Sequence, residues 1–528
     1  MFRQGMADET LTESGWLHLL EHLCLHGRGG GALQVNGSVS VLSTEFSAHG
    51  PTELVSQHLS QVTGWLAAPD LRDLRREQDV LRAEARLRTG PAPRAFGWRY
   101  GAQGPGLVSY DEPGLGRVTE LTLTERANRV FTTGNAVLAL DGPPPAGLRL
   151  HLPPGPLLPA REAVPCDNGM AAYVDEAGLV LSGVITRSDA ATVVPEILRR
   201  ALKERLRDHA GGAYAPWSNY ERVDGQHALV LAGSDVAPAL LPRLAGLVLD
   251  LVERFTSDPV PQGWLAEIIA ERLQAYADPH MVAMVAWRAA SMWLVGDRPE
   301  DLAELVENTR NLDPEAVRAD LVDFSDSLLL GIPGETSWRD QLPMLRFPTT
   351  SERPQGRRWR HRDWPANASV LSVDARGAAV SQGDSTQAMA LGNVAGMYCF
   401  PDGARHLVGR DGWSLAVEPD RWRRGRGAVE LLDTTVPAEL HLPQPARTGV
   451  TPFKPAAWPV RWWRFLAANA TVRYSLLIVA IVAGLVTYGY LTTLRGEGEA
   501  AGGSFPGGAA IGLLVLVVAL IASRSSRK

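Results

Sequence analysis

The sequence predicts a mixed α+β protein: two α/β sandwich domains, a small β-rich module and two C-terminal transmembrane helices. Three observations carry that class. Residues 1–145 and 165–335 each mix strand-like apolar runs with helical periodicity. Residues 340–450 hold short apolar runs punctuated by Gly, Asp and Pro. Two uncharged apolar runs, at 474–494 and 505–523, close the chain. With 528 residues, 45% of them hydrophobic, the chain can build sizeable cores and is neither a disordered polymer nor a collagen-like repeat. Cys24, Cys166 and Cys399 are too few and too far apart for a disulfide framework or a CxxC metal site, and they fit a reducing compartment. A net charge of −6 gives no general pull toward nucleic acid, and no nucleic-acid partner is expected.

In the first block, helical periodicity covers about 13–26 and 70–89, with a strand-like patch near 37–48 between them. AGLRLHLPPGPLLPAREAVP at 146–165 is a Pro-rich connector. The second block runs from strand-like VLSGVI (180–185) to helix-like VVPEILRRALKERLRDH (193–209) and strand-like ALVLAG (228–233). Long helical runs then reach about 320, and SLLLGIPG (327–334) ends the block. The similar element order of the two blocks points to a remote duplication. The 340–450 module carries two clusters, RRWRHR (357–362) and RWRRGR (421–426). These either grip phosphate or form a solvated face.

From Tyr474 to Leu494 lie 21 residues without a charge, and Phe505–Ser523 contains the dense run IGLLVLVVALIA. About 20 apolar residues span a bilayer core, although buried core helices would give the same pattern. Arg461, Arg464 and Arg473 precede the first run, with Trp458, Trp462 and Trp463 as interfacial anchors, and Arg524, Arg527 and Lys528 follow the second. By the positive-inside rule both flanks are cytoplasmic. MFRQGMADETLTES has no apolar core of the kind that signals export. The expectation is a multi-pass cell-membrane protein with its body and C-terminus in the cytoplasm.

The chemistry lies near the N-terminus. Gly15-Trp16-Leu17-His18-Leu19-Leu20-Glu21-His22 contains H-x-x-E-H. On a helix, His18 and His22 stand one turn apart on one face and can share a metal ion, while Glu21 reaches a metal-bound water. REQDVLRAEARLR places Glu77 and Glu84 two turns apart on a helix face. Glu84 can complete a His₂Glu site and Glu77 can orient a ligand from behind, though such a pair alone is most often a solvated face.

The text ETLTESGWLHLLEHLCLHG, then EFSAHGPTEL, then EQDVLRAEARL resembles the pitrilysin or insulinase-type zinc peptidases, the inverzincins. The resemblance extends over about residues 5–335. It implies Zn²⁺ held by His18, His22 and Glu84, with Glu21 as catalytic base and Glu77 as supporting acid. RLRDHAGGAYAPW resembles the family's substrate-gripping Arg/Tyr pair, which implies that Arg207 and Tyr214 hold the peptide or polarise its carbonyl. A helix-end Arg and a strand Tyr at a core rim is the alternative for these two. Family members carry a strand or two before the zinc helix, and MFRQGMADET looks like the tail of such a strand. The family's chamber is built from two halves that divide zinc site and Arg/Tyr pair, so a chain with one half's worth of domains implies a homodimer. The expected function is a membrane-tethered, cytoplasm-facing zinc endopeptidase acting on peptides or small unfolded polypeptides. The alternative is a non-catalytic relative that serves as a scaffold or peptide-binding subunit of a membrane complex.

Overall fold

The computed structural model describes residues 1–494 apart from 29, 86–89, 167–168, 176–177, 214, 335–341 and 352–354. The first unit contains β1 (Phe2–Arg3), α1 (Trp16–Leu25), β2 (Gln34–Val39), β3 (Ser43–His49), α2 (Thr52–Ala67), α3 (Leu74–Ala85), α4 (Pro91–Tyr100) and α5 (Glu120–Val130). Its sheet is antiparallel in the order β1-β3-β2, which leaves β2 at an edge beside α1. The single strand-like patch near 37–48 is in fact a hairpin. Its turn carries Val41 and Leu42, buried against Ala95, Phe96, Val180 and Leu229, so apolar character does not dip where the chain reverses. The helix α2 escaped the periodicity reading because most of its buried side chains, among them Val62, Trp65 and Leu66, come from its last two turns.

The core of this unit surrounds α1. Leu17, Leu19, Leu20 and Leu23 pack among Val62, Leu66, Leu81, Leu123, Val130 and Phe131. Each such Leu contributes about 1.5–3 kcal/mol by burial, so α1 is held from several sides and its polar face has a fixed direction. Phe2 of β1 packs edge-on to Phe131, with ring centroids 4.9 Å apart, and anchors the chain start to the same core.

The second unit contains β4 (Ala171–Val174), β5 (Leu179–Thr186), α6 (Val194–Leu202), β6 (Trp217–Arg222), β7 (His227–Ser234), α7 (Leu241–Ser257), α8 (Gln262–Tyr276), α9 (Met281–Leu294), α10 (Leu302–Arg310), α11 (Pro314–Asp326) and β8 (Leu329–Ile332). Its sheet runs β4-β8-β5-β7-β6, with only β4 and β8 parallel. Leu181, Val230, Leu198, Leu244, Leu321 and Phe324 form a core between the sheet and α6, α7 and α11. The other face of the sheet meets α4. There the fully buried Arg99 donates from Nη2 to the carbonyls of Ser182 (2.9 Å) and Ser327 (2.6 Å). A buried guanidinium held this way fixes the two units in one register.

The third region contains β9 (Thr349–Thr350), β10 (Arg357–Arg360), β11 (Val370–Asp374), β12 (Gly377–Gln382), β13 (Ser385–Ala390), β14 (Val394–Cys399), β15 (Arg405–Gly409), β16 (Ser414–Val417), α12 (Arg426–Thr435) and β17 (His441–Pro443). Two sheets, β10-β11-β12-β13-β9 and β16-β15-β14-β17, enclose Trp359, Leu371, Met397, Leu407 and Trp422 together with Leu432 of α12. This module docks on the first unit. Ala102 N–H donates to the Arg410 carbonyl (3.0 Å), and Arg117 Nη1 donates to the carbonyls of Ala438 (3.0 Å) and His441 (2.8 Å).

The described chain ends in α13 (Trp458–Ala468) and α14 (Ala470–Leu494). Among the described residues α14 is the one helix long and apolar enough to cross a membrane, over Thr471–Tyr488, and no side chain of that stretch is buried. Its 25 residues rise about 37 Å. The second apolar run, 505–523, lies outside the described residues.

Candidate metal centre

The polar face of α1 begins with how the helix starts. Gly15 lies at φ +89°, and a Cβ there would come within 2.7 Å of Glu112 Cβ, so both conformation and space call for glycine. The Glu9 carboxylate accepts from the Gly15 N–H (2.9 Å) and the Leu17 N–H (2.8 Å), two of the orphan donors of the first turn. Burial pushes the Glu9 carboxyl up to about 8, against the opposing pull of Arg126 and of these hydrogen bonds.

One turn on, His18 and His22 stack edge to face with ring centroids 4.7 Å apart. Each Nδ1 meets a carboxylate: His18 Nδ1 lies 2.9 Å from Glu112 Oε1, and His22 Nδ1 lies 3.4 Å from Glu77 Oε2. That pairing assigns the proton to Nδ1 and turns both Nε2 lone pairs toward a common point. Glu84 of α3 closes the point from across the groove, its Oε2 being 4.0 Å from His18 Nε2 and 3.6 Å from His22 Nε2. Glu21 Oε2 stands 3.7 Å and 3.8 Å from the same two nitrogens. His18, Glu21 and His22 can hold a metal ion by distance alone.

The donor set fits zinc. Four ligands at 2.0–2.1 Å in a tetrahedron stand about 3.3 Å apart, a few tenths of an ångström inside the observed spread. The Glu84 side chain is 44% exposed and free to move in, whereas that of Glu21 is 7% exposed and packed against β2. Desolvation raises the Glu21 carboxyl above the usual carboxylate range, in spite of the neighbouring His22 and His18.

The structure thus brings His18, Glu21, His22, Glu77 and Glu84 together on α1 and α3. Arg207 lies elsewhere, exposed in a π-helical turn, Lys203–Asp208, that continues α6 and packs against α6 and α7. Tyr214 lies outside the described residues. A cavity of about 1010 Å³ opens between the β2–β3 hairpin and α9, and its lining includes neither His18 nor His22. Trp287 Nε1 bridges it to Glu45 Oε2 at 2.7 Å.

Four contributors escaped sequence reasoning. Glu112 is 94 residues from His18 and arrives on the loop that the β-rich module clamps. Glu9 and Gly37 touch the site through the backbone they cap or crowd. His26 left a signal, since it stands four residues past His22. Its Nδ1 lies 3.0 Å from Glu77 Oε1, so Glu77 sits between two imidazoles.

Comparison with known proteins bears on the fold. No family model and no curated protein matches the chain. Among solved structures, an M16 peptidase inactive domain from Pseudomonas fluorescens aligns at 14% identity over 62% of this chain and 90% of its own, with TM-score 0.51. Over that aligned part the chain shares the fold of this M16 peptidase domain. A chain of complex III2 from Candida albicans aligns at 10% identity over 65% of this chain and 93% of its own, with TM-score 0.50. A protease from Helicobacter pylori aligns at 15% identity over 63% and 92%, with TM-score 0.48. The M16-type fold is thus a mixed α/β scaffold shared by at least one domain described as inactive, and chemistry has to be argued from the residues of the site.

Proposed function

We propose that the protein is a membrane-tethered, zinc-dependent endopeptidase hydrolysing peptides or small unfolded polypeptides on the cytoplasmic side. One observation carries this reading: Glu84 Oε2 lies within 4.0 Å of both His18 Nε2 and His22 Nε2, with the Glu21 carboxylate beside them. Zinc held by these three would act as a Lewis acid on the scissile carbonyl and lower the pKa of a water toward about 7. Glu21 takes the proton of the attacking water and passes it to the leaving amine, a double role that suits a buried carboxyl raised in pKa. Glu77 and Glu112 hold the two imidazoles in the tautomer that offers Nε2. Arg207, on the second unit, together with Tyr214, would serve the opposite copy in a homodimer, gripping its peptide backbone. The helix α14 and the run at 505–523 form the membrane hairpin, with the Arg flanks in the cytoplasm.

The fold likeness to a domain described as inactive favours a second reading, a non-catalytic peptide-binding or scaffold subunit of a membrane complex. Zinc analysis with a peptide-cleavage assay on the full-length protein, beside Glu21→Gln, separates the two. Stoichiometric zinc with cleavage abolished by the substitution is the expected result. Freshly purified protein without zinc, or zinc-loaded protein without cleavage of any unfolded peptide, overturns the enzyme reading.

A further inference from the structure

The two Arg-rich clusters, distant in sequence, form one surface. Arg423 N–H donates to the Arg360 carbonyl (2.9 Å) and Arg362 N–H to the Arg421 carbonyl (2.8 Å), which knits 360–362 to 421–423. On this surface two guanidinium groups share one indole: Arg360 Cζ lies 5.2 Å and Arg423 Cζ 5.8 Å from the ring centre of Trp364. The next residue, Arg424, is exposed and holds φ +56°, a conformation that L-residues adopt at a cost. Among the described residues no carboxylate pairs with Arg360, Arg423 or Arg424. The nearby acids are engaged elsewhere. Asp363 Oδ1 accepts from the Ala456 N–H (2.9 Å), and Asp420 accepts from the Phe453 N–H. Both bonds fasten the segment that leads into α13.

The location of this surface decides what meets it. Arg461 of α13 donates to the Arg362 carbonyl, and Trp462 packs edge-on to Trp364 at 6.2 Å. The amphipathic α13, with Trp458 and Trp463 exposed, runs directly into the membrane-length α14. Clustered like charges without counter-charges are unfavourable unless an anion is at hand, and a guanidinium fork on an aromatic platform matches phosphate. The anion supply beside a membrane helix is the headgroup layer.

We propose that Arg360, Arg423 and Arg424, with Trp364, form a binding surface for anionic phospholipid headgroups, which seats the β-rich module on the bilayer that α14 enters. The inference rests on the membrane tethering put forward above. Since the module also clamps the loop that bears Glu112, the surface places the candidate metal centre at a fixed height over the membrane.

The test uses the full-length chain. Flotation with vesicles of phosphatidylcholine, with and without phosphatidylglycerol, reads tethering. Native mass spectrometry of the chain from mixed micelles reads which of the two lipids is retained. Flotation with both vesicle types is expected, together with preferential retention of phosphatidylglycerol that weakens with salt. The preference should fall about fivefold for each Arg removed. The Arg360→Gln, Arg423→Gln, Arg424→Gln triple variant should lose it, whereas the corresponding Lys triple variant should keep most of it, at unchanged melting temperature. Equal retention of the two lipids by wild type overturns the proposal. A preference that survives the Gln triple variant but vanishes with Arg464→Gln and Arg473→Gln also overturns it, because the charge would then act from the helix flank. A chain that floats with neither vesicle type refutes the tethering itself.

Discussion

Gly37 of the edge strand β2 lies against the Glu21 carboxylate so closely that a Cβ at position 37 would stand 2.0 Å from Glu21 Oε1. The missing side chain is what lets a buried acid lie beside the two imidazoles. Gly37→Ala therefore displaces Glu21 while leaving His18, His22 and Glu84 in place. Zinc stoichiometry should stay near wild type and peptide cleavage should fall by about 10²-fold or more, as for a mispositioned general base. Parallel metal analysis and kinetics check this, and an unaltered kcat would contradict it.

In the proposed zinc site, Glu112 and Glu77 would act on the metal through the histidines they face. Removing the charge of the carboxylate behind a ligating His typically weakens metal affinity 10–100-fold. Glu112→Gln should weaken zinc through His18, and Glu77→Gln through His22. Competition against a chromogenic chelator measures both. The effect of Glu77→Gln should be partly reproduced by His26→Ala, because Glu77 Oε1 lies 3.0 Å from His26 Nδ1.

Glu9 makes stability depend on pH. Its folded-state value, raised by burial from 4.5 to about 8, means that the folded chain holds a proton which the unfolded chain releases between those values. The contribution is full below about 4.5 and is lost as pH rises through about 8. The melting temperature of the metal-free protein should accordingly decline across that window. Glu9→Gln, which cannot ionise, should flatten the decline, and scanning calorimetry at a series of pH values reads both slopes.

Complementation in trans tests the division of the site between two copies. Arg207→Ala chains and Glu21→Gln chains, each inactive alone, should recover up to about a quarter of wild-type activity when mixed at equal amounts and allowed to exchange, if each active site draws on both copies. Heterodimers that form without activity would refute the shared site.

How much of this was legible follows from the range over which each contact acts. Helix periodicity puts residues four or seven apart on one face, so His18 with His22 and the pairing of Glu77 with Glu84 on α3 could be read from spacing. The strand Leu179–Thr186 and the strands of the third region follow from local apolar runs. The β2–β3 turn was invisible because Val41 and Leu42 are apolar for the sake of the neighbouring unit, and α2 because most of its buried side chains crowd into its last two turns.

By itself the sequence determined that His18 and His22 share one face of α1, that Glu77 and Glu84 share one face of α3, and the apolar run that becomes α14. Only the tertiary structure decided that Glu112 supports His18, that Gly37 makes room for Glu21, and that Arg360 and Arg423 share one tryptophan. The reason is physical: backbone geometry repeats every few residues and can be read locally. Which loop arrives from about a hundred residues away is set by how separate cores pack, and no periodicity records it.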